Sequence, residues 1–125
     1  MIAAYNDVYS GFNFNGYGKG DVLVEIPRGW RVNVRCMNNS SSMRHSCAIV
    51  RGVSGRKPAF SGAESPAAQN GLPPRNAVAF SFLATRLGTY RIACLVPAHE
   101  QAGMWDVLDV TRDRLPAVIL LRRLP

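Results

Sequence analysis

The sequence has few acidic side chains, only two histidines and no long apolar run. No stretch approaches the roughly 20 apolar residues that a transmembrane helix needs. The opening residues 1–5 lack the basic start and apolar core of a secretory signal. We therefore expect that a signal or membrane anchor, if the native protein has one, is absent from this sequence.

Basic residues outnumber acidic ones, with 15 Lys and Arg against 8 Asp and Glu, so the net charge is +7. The arginines are scattered along the chain, and no nucleic-acid-binding signature accompanies them. Nucleic acid is therefore the weakest of the partner classes that a basic charge suggests, and we expect none. The charge pattern is typical of a solvated basic surface that associates with an acidic protein or an anionic membrane face.

Amphipathic helical periodicity is scarce, and short alternating runs bounded by Gly, Pro, Asn and Ser recur instead. Such runs predict an all-β antiparallel sandwich or barrel, and we see one domain over residues 1–125. The predicted strands cover residues 21–26, 30–36, 45–50, 77–82, 88–94 and 104–110. Trp30 then shares a core-facing side with Cys36, and we expect Trp30 and Trp105 to pack in the core rather than to relay electrons.

Two segments lack this alternation. Residues 51–75 are rich in Gly, Pro, Ser and Ala, which predicts a long connection with a short helical turn near residues 65–68. The tail over residues 111–125 is interpreted first as an extra strand that covers a sheet edge. A docking segment and a contact between subunits remain alternatives for it.

Three cysteines allow at most one disulfide, so one cysteine must have a separate role. Cys36 and Cys47 lie on strands that flank one turn, and alternation turns both towards the core. Strand parity does not show that their Cα atoms are within bonding distance, so a disulfide stays open. We favour two buried free thiols that act as small apolar groups.

The chemistry is concentrated in the segment from Cys94 to Met104, where Cys94, His99 and Met104 occur with four residues between neighbours. His45 opens a different predicted strand. One thiolate and two imidazoles can form a trigonal plane around copper, with a thioether on its axis, whereas zinc usually recruits more cysteines or a carboxylate. The sequence therefore predicts a single copper ion held by His45, Cys94, His99 and Met104.

The Cys-x4-His-x4-Met segment resembles the ligand loop of cupredoxins of the sulfocyanin and rusticyanin kind. The FNFNG box at residues 12–16 and the run from Gly103 to Trp105 add to the resemblance, which covers about residues 12–110. It implies a cupredoxin-like Greek-key β-sandwich of about seven or eight strands. It also implies His45, Cys94 and His99 as equatorial ligands, Met104 as the axial ligand, and a periplasmic or other extracytoplasmic location.

The resemblance implies a one-electron carrier that cycles Cu(I) and Cu(II), not an enzyme. Its expected partners are redox proteins, acidic or membrane-bound, such as a cytochrome or terminal oxidase, and we expect a monomer with peripheral membrane contact at most. A copper enzyme with a second copper site would need further histidines, and none remain after His45 and His99. A copper storage or delivery module and a metal-free interaction sandwich are the remaining alternatives.

Overall fold

The computed structural model describes residues 1–52 and 55–121 and contains eight β-strands in that part of the chain. A short 3₁₀ turn, Val8–Gly11, is the helical segment that it assigns there. The strands are β1 (Ile2–Ala3), β2 (Val22–Pro27), β3 (Arg31–Asn38), β4 (Ala48–Arg51), β5 (Ala77–Leu83), β6 (Gly88–Ala93), β7 (Trp105–Thr111) and β8 (Ala117–Leu120).

The strands form two sheets, ordered β1-β3-β5 and β4-β6-β7-β2-β8. The all-β sandwich predicted from the sequence is confirmed, and the eight strands of the described residues match the expected number. Two strand pairs, β1 with β3 and β2 with β7, are parallel, so both sheets are mixed rather than purely antiparallel. Parallel pairing joins strands that are distant along the chain, and local alternation carries no signal for it.

Strand β3 alternates as the sequence predicts, with Val34 and Cys36 buried and Arg35 between them exposed. Trp30 departs from the expected core position, because its side chain is 44% exposed. The turn after β2 includes Gly29 at φ 90°, and β3 begins only at Arg31, so Trp30 lies outside the pleat that orients the core side chains. Trp105 is half-buried and packs against a small apolar cluster.

The core lies between the two sheets and takes side chains from both. Phe60, from the long connection between β4 and β5, stacks on Phe82 of β5 with ring centroids 5.4 Å apart. The same ring contacts Tyr90 of β6 at 4.9 Å. The connection therefore adds to the core. Near the predicted short helical turn, the amide N–H groups of Asn70 and Gly71 donate to the Ala67 carbonyl, and residues 66–70 are assigned as a turn.

Cys36 and Cys47 form a disulfide, so the preference for two free thiols was wrong. Cys36 belongs to the three-stranded sheet, and Cys47 directly precedes β4 of the five-stranded sheet. Both sulfurs enter the same core, and the two Cα atoms lie 6.0 Å apart, within the usual bonding range. Whether the two cysteines can bond depends on the distance between the facing sheets. The alternation of residues along each strand gives no information about that distance.

The predicted extra strand in the tail is present as β8, which pairs antiparallel with β2. All four of its residues are exposed. It covers the outer edge of β2 and gives the five-stranded sheet its fifth member. Residues 122–125 of the predicted tail lie outside the described part of the chain. Within the described part, no helix is long and apolar enough to span a membrane.

Candidate metal centre

Three of the four predicted ligands converge in the core at one end of the sandwich. The Nδ1 atoms of His45 and His99 lie 3.1 Å apart, and Cys94 Sγ lies 3.5 Å from His99 Nδ1. The donor atoms of all three residues are within 4.8 Å of one another, and all three residues are buried. Two imidazole nitrogens and one sulfur therefore face a common point, which is the arrangement that a bound metal ion requires.

His45 is placed by a bridge rather than by a strand. The sequence predicted that His45 opens a strand, but β4 begins only at Ala48, and His45 pairs through an isolated bridge with Leu72. The fully buried Asn38 side chain donates to the carbonyls of Met43, Leu72 and Pro73. These bonds fix both backbone segments that meet at this bridge. These hydrogen bonds hold the His45 backbone although regular sheet pairing is absent there.

The ligand loop is closed by its own backbone. β6 ends at Ala93 and β7 begins at Trp105, so Cys94 and Met104 lie just outside the strands that were expected to contain them. The amide N–H of Met104 donates to the His99 carbonyl at 3.1 Å, and the amide N–H of Cys94 donates to the Met104 carbonyl at 3.2 Å. Met104 is fully buried in the same core cluster as Cys94. Its assignment as the axial ligand remains a prediction.

Ser46 surrounds the Cys94 sulfur with hydrogen-bond donors. Its amide N–H lies 3.3 Å and its hydroxyl 3.7 Å from Cys94 Sγ, while the hydroxyl oxygen accepts from the Leu95 N–H at 2.9 Å. Burial raises the pKa of the Cys94 thiol, and the hydrogen bonds from Ser46 and Val96 oppose that shift. The site therefore favours a neutral thiol until a positive charge compensates the thiolate.

Both imidazoles are held in the neutral form that binds metals. Burial, with a smaller contribution from the neighbouring His99, lowers the pKa of His45 to about 4. Burial also lowers the pKa of His99. Neutral imidazoles keep a lone pair for a metal ion at neutral pH.

The FNFNG box forms a cover over the imidazoles, and no local pattern in the sequence predicts this role. The Phe12 ring meets His99 edge-on with centroids 4.9 Å apart and lies 6.3 Å from the His45 ring. The next residue, Asn13, is fully buried; its amide nitrogen donates to the carbonyls of Asn6 and Val8, and its oxygen accepts from the N–H groups of Tyr5 and Gly16. Asn13 thus fixes the loop that positions Phe12.

A charge pair supports the far side of the ligand loop, and no local sequence pattern predicts it. Arg91 of β6 forms an ion pair with Glu100, the residue after His99, and both side chains are largely buried. The Arg91 guanidinium also donates to the carbonyl of Gly55 at 2.9 Å. The pair spans nine residues between a strand and a loop, and only the folded chain brings them together.

The model of the sulfocyanin (SoxE) domain family matches residues 1–61 of this chain. That part contains the FNFNG box and His45 but ends before the ligand loop at residues 94–104. No curated protein sequence matches the chain significantly.

Solved structures resemble the chain over most of its length. Auracyanin from the photosynthetic bacterium Roseiflexus castenholzii, in its dithionite-reduced form, is 26% identical with a TM-score of 0.58 and covers 71% of this chain and 83% of its own. Rusticyanin from Thiobacillus ferrooxidans is 25% identical with a TM-score of 0.57 and covers 71% of this chain and 60% of its own. The multicopper oxidase mgLAC is 27% identical with a TM-score of 0.54 and covers 78% of this chain but 31% of its own.

These likenesses confirm the resemblance drawn from the ligand loop and the FNFNG box. The family match covers residues 1–61, which include His45, and the two structural matches each cover 71% of the chain.

Proposed function

Because the chain is a cupredoxin-like protein of the blue-copper type, we propose that it binds one copper ion and carries single electrons between redox partners. The observation that carries this proposal is the convergence of His45 Nδ1, Cys94 Sγ and His99 Nδ1 in a buried pocket. When bound, copper supplies one-electron chemistry by alternating between Cu(I) and Cu(II). Among the structural relatives, rusticyanin is described as a copper protein and auracyanin as a form reduced by dithionite.

The donor set fits copper by its own chemistry. The described cluster contains one thiolate donor and two imidazoles and no carboxylate. Thiolate favours Cu(I), and imidazole suits both oxidation states, so the set lies between the preferences of the two ions. Met104 would supply the axial thioether, in keeping with its full burial beside the loop.

The residues around the donors favour electron transfer over catalysis or copper delivery. Ser46 and the closed ligand loop fix the sulfur, while Asn38 fixes the chain on both sides of His45. Rigid donors limit the rearrangement that accompanies a change of charge. Delivery of copper to another protein would require exposed donors, whereas these three side chains are buried. The mgLAC likeness does not extend to a second copper site, because the sequence has no third histidine.

We further propose an extracytoplasmic location, as the sequence analysis expected. The Cys36–Cys47 disulfide supports it, because structural disulfides persist in oxidising compartments. The proposed partners remain acidic or membrane-bound redox proteins, in keeping with the net charge of +7.

Visible absorption tests the function directly. The purified protein is titrated with one equivalent of Cu(II) and then reduced with ascorbate. We expect an intense thiolate-to-copper band that bleaches on reduction, is lost in Cys94→Ser, and persists in the control Met37→Leu at an exposed position of β3. A Cys94→Ser protein as blue as the unsubstituted one would contradict the ligand assignment. A colourless unsubstituted protein would favour the metal-free interaction domain.

A further inference from the structure

A basic cleft is lined by Arg51, by residues 55–59 of the connection after β4 and by Arg86. It has a volume of about 660 Å³, and four of its seven lining residues are the cations Arg51, Arg56, Lys57 and Arg86. The lining contains no acidic residue. A second cleft shares Arg51 and Arg86 and continues along residues 87–90. Positive charge is therefore concentrated in this concave region.

Two of these cations are held in place by the fold. The Arg86 guanidinium donates to the Ala59 carbonyl and lies 5.0 Å from the centroid of the Phe60 ring. Arg56 donates to the Leu95 carbonyl. Because both side chains are already ordered, a bound anion would not have to immobilise them, and this lowers the entropic cost of association.

The bond from Arg56 connects the cleft to the metal centre. Leu95 directly follows Cys94 in the chain and is itself fully buried. One hydrogen bond and the backbone of Leu95 and Cys94 therefore connect the Arg56 guanidinium to the proposed thiolate ligand. This route leaves the site through the sulfur, whereas the route through His99 leaves beneath the Phe12 ring.

We propose that this basic cleft is the docking surface of an acidic redox partner, which exchanges electrons with the copper through Arg56, Leu95 and Cys94. The inference rests on the proposed electron-transfer function. The partner is a protein with a one-electron centre beside a carboxylate-rich surface. In each exchange the reduced centre loses one electron and the oxidised centre gains it, and no bond or proton is transferred between the proteins.

The test compares two charge-reversal variants that change the net charge equally. Arg51→Glu/Lys57→Glu alters the cleft but leaves the ordered Arg56 and Arg86 in place. Arg31→Glu/Arg35→Glu is the matched control, at exposed positions of β3 in the other sheet. Stopped-flow kinetics follow the oxidation of each reduced copper protein by ferricyanide. At low ionic strength we expect the cleft variant to react about tenfold more slowly than the control variant, because local charge steers an anion. High salt should remove this difference.

Hexa-aspartate serves as a probe for a carboxylate-rich partner. In an NMR titration of the reduced copper protein, we expect amide shifts at residues 55–57 and 86–90, loss of these shifts in the cleft variant, and competition of the peptide with ferricyanide. Equal slowing in both variants, or peptide shifts centred on Phe12 and His99, would overturn the docking assignment. If neither ferricyanide nor any other one-electron oxidant restores the blue colour of the ascorbate-reduced unsubstituted protein, the electron-transfer function fails, and the inference fails with it.

Discussion

Removal of the Asn13 side chain should destabilise the protein far more than removal of an ordinary asparagine. The buried amide makes four hydrogen bonds, to the carbonyls of Asn6 and Val8 at 3.0 and 2.8 Å and from the N–H groups of Tyr5 and Gly16 at 3.2 and 2.9 Å. Asn13→Ala removes all four at once. The Gly16 N–H is buried and would keep no partner from this side chain.

A net contribution of about 0.5–1.5 kcal/mol for each hydrogen bond gives an expected loss of about 2–6 kcal/mol in the free energy of unfolding. Small domains have about 5–15 kcal/mol in total, so the variant should remain foldable but much weakened. The control is Asn76→Ala, which removes one bond from an exposed side chain to the nearby Pro74 carbonyl. Its expected loss is about 1 kcal/mol or less.

Guanidinium denaturation of the metal-free proteins measures both losses without a contribution from metal binding. A loss in Asn13→Ala no larger than that in Asn76→Ala would refute the reasoning that Asn13 fixes the loop before Phe12. In the copper-loaded protein, Asn13→Ala should also release copper to a chelator faster, because the Phe12 ring that covers both imidazoles would no longer be held.

Three further predictions concern the crosslink, the charge pair and the metal. Replacement of both Cys36 and Cys47 by Ala should cost about 3 kcal/mol of unfolding free energy, as expected for a loop of 11 residues; unchanged denaturation midpoints would contradict it. Arg91→Met should cost about 3–5 kcal/mol because it leaves Glu100 buried without its partner, and Arg91→Met/Glu100→Gln should regain part of that loss in the same assay. Copper should raise the melting temperature in scanning calorimetry, since it binds only the folded site, and equal melting with and without copper would count against this site.

The strands and the ligand loop could be predicted from the sequence because both leave local signals. Alternation in β3 follows from the two-residue period of a strand. The spacing of Cys94 and His99 indicates a loop that can bring two donors to one ion, and the structure brings those donors together with His45. In these segments the spacing of residues along the sequence corresponds to the positions that the folded backbone gives them.

Features that depend on distant parts of the chain could not be predicted in this way. The Cys36–Cys47 disulfide depends on the distance between two sheets, and the parallel pairing of β2 with β7 joins strands from opposite ends of the chain. Trp30 fits the alternation of β3 but lies before the strand begins. Neither Arg91 nor Glu100 carries a sequence pattern that would predict their ion pair. In each case a tertiary contact decides the outcome.

The disulfide also bears on how the three cysteines are sorted during oxidative folding. Only the pairing of Cys36 with Cys47 leaves the Cys94 thiol free for the metal. In an unfolded chain the competing Cys47–Cys94 loop is roughly four times longer than the native one, which makes its closure about 1.2 kcal/mol less favourable, or roughly eightfold rarer. Spacing along the sequence thus favours the correct disulfide before any tertiary structure exists. Cys94, which must keep its free thiol to bind the metal, is therefore the cysteine that forms a disulfide least often within the unfolded chain.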